Sequence, residues 1–197
     1  FLVCDYINPA TALYKFTKDG SMDELATVPV LADYGRGFTH CAVHQQTQRT
    51  YAIGDNHGGN QALVLLDANL QIVATVEAAE PNVGDYRPMR DVAVHGDQVI
   101  VLTGNDHAEG SGLRLLDLDG RFLRTIAAGW FCDPQAVAAS HGRAVVVDED
   151  EVVTGKVLFV IDIQSGYLLQ RVHVDLQGEV SAIRVDGDEI FIASLSA

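Results

Sequence analysis

Two short stretches of this sequence set an aromatic ring and an arginine behind an aspartate: Asp33, Tyr34, Gly35, Arg36, and further on Asp85, Tyr86, Arg87. A third, related stretch reads Gly129, Trp130, Phe131, Cys132. Tyrosine offers amphipathic contact area and arginine a planar fork of donors, so these types on one surface suit recognition better than bond-breaking. Tyr34, Arg36, Tyr86, Arg87 and Trp130 are therefore candidate ligand-binding residues. The competing reading packs the tyrosines and arginines inside the fold, with Asp33 and Asp85 capping local backbone or pairing the arginines. Trp130 faces the same choice between rim and core.

Titratable groups form a second set. His57 and His107 stand 50 residues apart in the matching stretches GDNHGG and GNDHAE. An imidazole beside Asp55 or Asp106 has the donor chemistry of a metal ligand. Asp, Asn and His are also ordinary turn formers, and no third ligand stands at a compelling spacing. The run Asp148, Glu149, Asp150, Glu151 offers hard oxygens suited to calcium. It lacks the glycine and closing glutamate of a calcium loop and reads as a solvated charge run. No GxSxG, Walker, HExxH or dinucleotide pattern occurs, and neither a metal nor a cofactor is expected.

The elements that must position these residues follow from an internal repeat. Residues 63–67 read LVLLD, 113–117 LRLLD, 158–162 LFVID and 13–17 LYKFT. Each is followed by a turn rich in Asp, Asn or Gly and then by a second apolar run, such as QIVATV or FLRTI, which makes a hairpin. Upstream lie β-branched runs: FLVCD, TYAIGD, VIVLTG, AVVVDE and EIFIAS. Before four of these stand HCAVH from His40, DVAVH from Asp91, AVAAS from Ala136 and AIRVD from Ala182, whose small residues suit a crowded inner strand. Lettered a to d from the inside out, these four strand types recur every 45 to 50 residues. That predicts an all-β chain, a β-propeller of four-stranded antiparallel blades, with three complete blades and two partial ones. Residues 1–197 are read as a single propeller domain or a fragment of one. Both end strands, FLVCD and EIFIAS, are of type b and cannot fill one place in a closing blade, so an arc of a propeller of about six blades is favoured over a four-bladed ring. The aspartates that close the third strands, Asp67, Asp117 and Asp162, are expected to accept hydrogen bonds within their turns.

The segment RPMRDVAVHGDQVIVLTGNDHAEGSGLRLLDLDGRFLRTI, residues 87–126, resembles a blade of the NHL-repeat family. GDNHGGN with LLDANL in the preceding copy, and DPQAVAA with LFVID in the following one, extend the resemblance over nearly the whole chain. It implies a propeller whose ligands meet the face built by d–a and b–c loops and the mouth of the central channel. His40, Arg90 and Asp91, at or beside the starts of inner strands, would face that channel. The family includes interaction modules, RNA-binding modules, sensors and an amidating lyase that holds zinc with channel-facing histidines. Here the corresponding inner positions are His40, Asp91, Ala136 and Ala182, which depart from a three-histidine set.

Charge narrows the partners. Thirteen Lys and Arg against 27 Asp and Glu give a net charge of −14, which repels phosphate backbones and anionic bilayers. Nucleic acid is not expected as a partner, and no apolar run is long enough for membrane insertion by a helix. Cys4, Cys41 and Cys132 have no CxxC spacing and read as buried free thiols. The expected function is a binding module that presents its loop face to a protein, a peptide or a small ligand. The alternatives are a metal-assisted hydrolase or lyase working through His40, Arg90 and Asp91, and a structural part of a larger assembly. The compartment is unassigned.

Overall fold

The structure is a computed structural model that describes residues 2–4, 13–15, 38–55, 61–77, 88–104, 110–149 and 155–195. No helix occurs among them. Strands β1 (Leu2–Cys4) and β2 (Leu13–Lys15) form an antiparallel pair. Strands β3 (Phe38–His44), β4 (Arg49–Asp55), β5 (Gln61–Leu66) and β6 (Ile72–Glu77) then make a four-stranded antiparallel sheet in chain order. The same order recurs in β7 (Met89–His95), β8 (Gln98–Thr103), β9 (Gly112–Asp117) and β10 (Phe122–Ile126). It recurs again in β11 (Asp133–Ser140), β12 (Arg143–Glu149), β13 (Lys156–Asp162) and β14 (Leu168–Val174). Strands β15 (Glu179–Asp186) and β16 (Glu189–Leu195) close the series as a hairpin. These are three complete blades and two partial ones. The strand expected at residues 24–28, and the loops that carry Tyr34, Arg36, His57, Tyr86, Arg87 and His107, lie outside the described residues.

The chain divides into two compact units, Phe1–Tyr86 and Arg87–Ala197. In the first, Phe38, Ala52, Val64, Leu66 and Leu70 make an apolar cluster. In the second, the inner strands β7, β11 and β15 lie side by side, and the faces of the β7–β10 and β11–β14 blades are buried against each other. Ile100, Leu102, Leu113 and Leu115 meet Phe131, Val137, Val146 and Phe159 there, with the Phe131 and Phe159 rings edge to face at 5.2 Å. In the complete blades the b and c strands, β4, β5, β8, β9, β12 and β13, are buried on both faces.

Every inner strand carries one extra residue. The pairing register slips at Thr39, Arg90, Gln135 and Ser181, a β-bulge at the same place four times. Residues before the bulge still pair, so these strands begin two or three residues earlier than their small-residue signatures predict. Three of the bulge side chains donate to carbonyls of strand b or the residue after it: Thr39 to Ile53, Arg90 to Gly104 and Ser181 to Ala193. The slip is thus partly repaired by a side-chain donor. The outer strands are bulged as well, at Val73, Leu123 and Leu169, each about half exposed.

The turn aspartates behave as the sequence predicts. Asp67 Oδ1 accepts the N–H groups of Asn69 and Gln71, Asp117 Oδ1 those of Asp119 and Arg121, and Asp162 Oδ1 the N–H and hydroxyl of Ser165, all between 2.6 and 2.9 Å. In the second of these turns Gly120 takes the left-handed region at φ 82, where the first has Leu70 at φ 61. Leu70 is buried in its cluster, and that packing offsets the strain.

Candidate functional site

The d–a loop between β10 and β11 is tied down at every residue from Gly129 to Asp133. Gly129 N–H donates to the Ser111 carbonyl at 2.8 Å and Trp130 N–H to that of Ala127 at 3.2 Å. Phe131 N–H donates to Ser111 Oγ at 3.1 Å. Cys132 and Asp133 N–H both donate to the Asp148 carboxylate, at 3.1 and 2.9 Å. Asp148 is only 2% exposed, so the opening residue of the acidic run is a buried anchor and not a solvated charge, a correction to the sequence reading. A buried carboxylate needs hydrogen-bond donors to hold its charge, and consecutive backbone amides supply them. Its neighbour Glu149 accepts from Gln135 at 2.7 Å and pairs with the buried Lys156. Asp150 and Glu151 lie outside the described residues.

This loop sends its two aromatic rings opposite ways. Phe131 is wholly buried in the seam between blades, whereas Trp130 is 38% exposed. That exposure excludes the core, one of the two options the sequence left for Trp130. Cys41 and Cys132 are only partly buried, a correction to the sequence reading, which has them buried.

The bulge in β7 places Arg90 on the same blade end. Its Nε donates to the Gly104 carbonyl at 3.0 Å and its Nη2 to Asp133 Oδ1 at 3.1 Å, with about a third of each side chain exposed. Gly104 is confined by close approach, since a Cβ there would sit 2.6 Å from Pro134 Cγ. Asp91 follows the bulge. One of its oxygens accepts Val92 N–H at 2.7 Å and the other accepts Val137 N–H, across in the next blade, at 2.8 Å. Both oxygens are therefore engaged by backbone donors, which makes Asp91 a positioning residue in the blade seam.

His40, Asp91, Ala136 and Ala182 each directly follow a bulge, so the register aligns the four inner positions that the sequence matched. The Nδ1 of His40 is buried and has no hydrogen-bond partner among the described residues. Among those residues no group of three His, Cys, Asp or Glu side chains gathers around one point. His95, assigned no role from sequence, has one: its Nε2 accepts the N–H of Gly142 in the next blade at 2.9 Å. Gly142 sits at φ 75 in the turn between β11 and β12, where a side chain would strain the backbone. Asp148 and His95 were missed for one reason. Both look like surface polar residues until backbone distant in sequence reaches them, from the start of its own blade for Asp148 and from the next blade for His95.

No protein-family model and no curated protein matches the sequence. Solved structures do match the fold. A chain of the nidogen/laminin complex aligns over 98% of this chain and 85% of its own, with a TM-score of 0.62 and 7% identity. The complex of KlAtg21 with the coiled-coil of AgAtg16 aligns over 98% and 59%, with a TM-score of 0.63 and 11% identity. The Dos1 propeller aligns over 89% and 46%, at 0.53 and 11%. The chain spans about half the length of the last two. Set beside the repeated four-stranded sheets, these likenesses identify the fold as that of β-propeller blades.

Proposed function

We propose that this chain is an interaction module of NHL-like blades whose loop end engages a protein or peptide. The observation that carries the reading is the pinned 129–133 loop. Five successive backbone hydrogen bonds and a buried Phe131 hold Trp130 outward in advance of any partner. Ordering such a loop only on binding would cost affinity, and an exposed tryptophan on a rigid base is the kind of anchor that dominates interfaces. Arg90, held at the same blade end by Gly104 and Asp133, supplies a donor fork nearby in the topology. In this reading Asp91 supports the loop end from its inner strand, Arg87 is a further candidate of the same unit, and Tyr34, Arg36, His40 and Tyr86 are ligand-binding candidates of the first unit. Two of the similar structures are complexes with protein partners, nidogen with laminin and KlAtg21 with the coiled-coil of AgAtg16, which supports a protein as the partner.

Trp130 is the only tryptophan in the chain, so its emission reports on this loop alone. Candidate peptides are titrated against the chain while that emission is followed. A shift that saturates, and a partner affinity lowered at least tenfold by Trp130→Ala at unchanged melting temperature, is the expected result. Partners that bind Trp130→Ala as tightly as the parent chain would move the binding face elsewhere.

A further inference from the structure

We infer that the partner of the Trp130 loop brings a basic peptide segment, with an arginine stacked on the indole and a second cation seated on Glu149. The inference rests on the loop-face reading and names the chemistry of its partner. Three observations carry it.

The first is an uncovered ring in a fold that covers other rings with arginine. Arg114 lies over Phe122 at 5.6 Å and Arg171 over Phe159 at 5.4 Å, whereas no cation stands over Trp130 among the described residues. Tryptophan draws a cation to its face more strongly than the other aromatic side chains, and a planar guanidinium also stacks on it.

The second is that the cations at this blade end are committed. Arg90 is held by the Gly104 carbonyl and by Asp133, and the buried Lys156 is paired with Glu149. A carboxylate from a partner would have to displace one already in place. The net charge of −14 repels such a partner at longer range and draws in a basic one.

The third is an acceptor with capacity to spare. Glu149 is half exposed, and its contacts with Gln135 and Lys156 both fall on Oε2. Oε1 has no partner among the described residues and is open to a donor from outside. Asp133 and Glu149 stand opposite each other across β11 and β12, and Trp130 lies three residues before Asp133. Chain reach therefore keeps the Cα atoms of Trp130 and Glu149 within about 16 Å, a span that about five extended residues cover. No three His, Cys, Asp or Glu side chains converge on one point among the described residues. Acceptors laid out in this way suit the successive side chains of a peptide better than a single ion.

The probe is a labelled octapeptide alternating arginine and glycine, titrated against the 197-residue chain by fluorescence anisotropy, with a citrulline–glycine octapeptide as its neutral counterpart. Saturable one-to-one binding is expected, at least tenfold tighter than that of the citrulline peptide and weakened by rising ionic strength. Trp130→Ala and Glu149→Gln should each weaken it at least fivefold. Asp188→Asn, which removes the same charge in the β15–β16 turn at the other end of the strands, should leave it unchanged. Melting curves check that each variant folds; Glu149→Gln keeps an oxygen for Lys156, and Asp133→Asn replaces it if that variant does not fold. The inference is overturned by absent binding, by equal binding of the citrulline peptide, or by equal sensitivity to Glu149→Gln and Asp188→Asn. Citrulline-peptide binding as tight as that of the arginine peptide, and abolished by Trp130→Ala, would overturn the basic partner and leave the loop-face reading standing. Arginine-peptide binding that Trp130→Ala leaves intact would overturn both.

Discussion

The carboxylate of Asp148, at the end of β12, accepts the backbone N–H of Asp133 at 2.9 Å and so fixes the point where the Trp130 loop enters β11. Asp148→Ala removes this bond and the one to Cys132, leaving two part-buried donors unpaired. A loss of about 2 kcal/mol is expected from such a deletion. Chemical denaturation measures the loss, and broadened amide signals for residues 129–133 in NMR spectra would locate it. Asp148→Asn keeps an acceptor oxygen and should recover part of the stability.

Neighbouring aromatic residues should respond in opposite ways. Phe131 fills the seam against Phe159, so Phe131→Ala opens a cavity and should cost about 3–5 kcal/mol. Trp130→Ala, at a half-exposed site, should change stability by less than about 1 kcal/mol while lowering partner affinity. Parallel melting and binding measurements on the two variants separate these effects, and a reversed pattern would show that the loop's inner and outer faces had been exchanged.

Asp117 holds its turn by accepting two amides, from Asp119 and Arg121. Asp117→Ala should cost about 1 kcal/mol, the scale of a lost local hydrogen bond, and leave the loop face intact. Abolished binding at unchanged melting temperature would place the functional face at the turn end instead.

The Asp162 carboxyl is held below its ordinary value of 3.8, chiefly by the Ser165 hydroxyl and then by the Ser165 amide. A carboxyl whose folded value is depressed adds stability above its unfolded value and loses it as pH falls through the folded one. This turn should therefore weaken only below about pH 4. Ser165→Ala removes the largest cause and should move the Asp162 midpoint upward in a carboxyl NMR titration. An unmoved midpoint would mean that the hydroxyl is not the group that holds it.

The blade plan was legible because three of the four c strands announce themselves with an apolar run closed by aspartate, at Asp67, Asp117 and Asp162. The turn chemistry of those aspartates followed from the same local signal. The inner bulges were not legible in the strand pattern, since an extra residue in register leaves no break in hydrophobicity. A faint trace exists in hindsight: Phe-Thr-His, Met-Arg-Asp, Pro-Gln-Ala and Val-Ser-Ala each put a polar residue after a larger apolar one or proline. The site was less legible than the fold. Trp130 and Arg90 could be nominated from type and place, but the burial of Asp148 and the engagement of Asp91 depend on amides 15 and 46 residues away. No local pattern encodes contacts at that separation.

The seams between blades speak mostly to backbone. Asp91 takes the amide of Val137, Gln135 that of Val180 and His95 that of Gly142, while Arg124 gives to the carbonyls of Ile163 and Gln164. Amides and carbonyls are present whatever side chain a position carries. A copied blade can therefore dock onto its neighbour before either sequence adapts, and afterwards the receiving positions are free to drift. Similar folds at 7 to 11% identity are what such a set of joints permits.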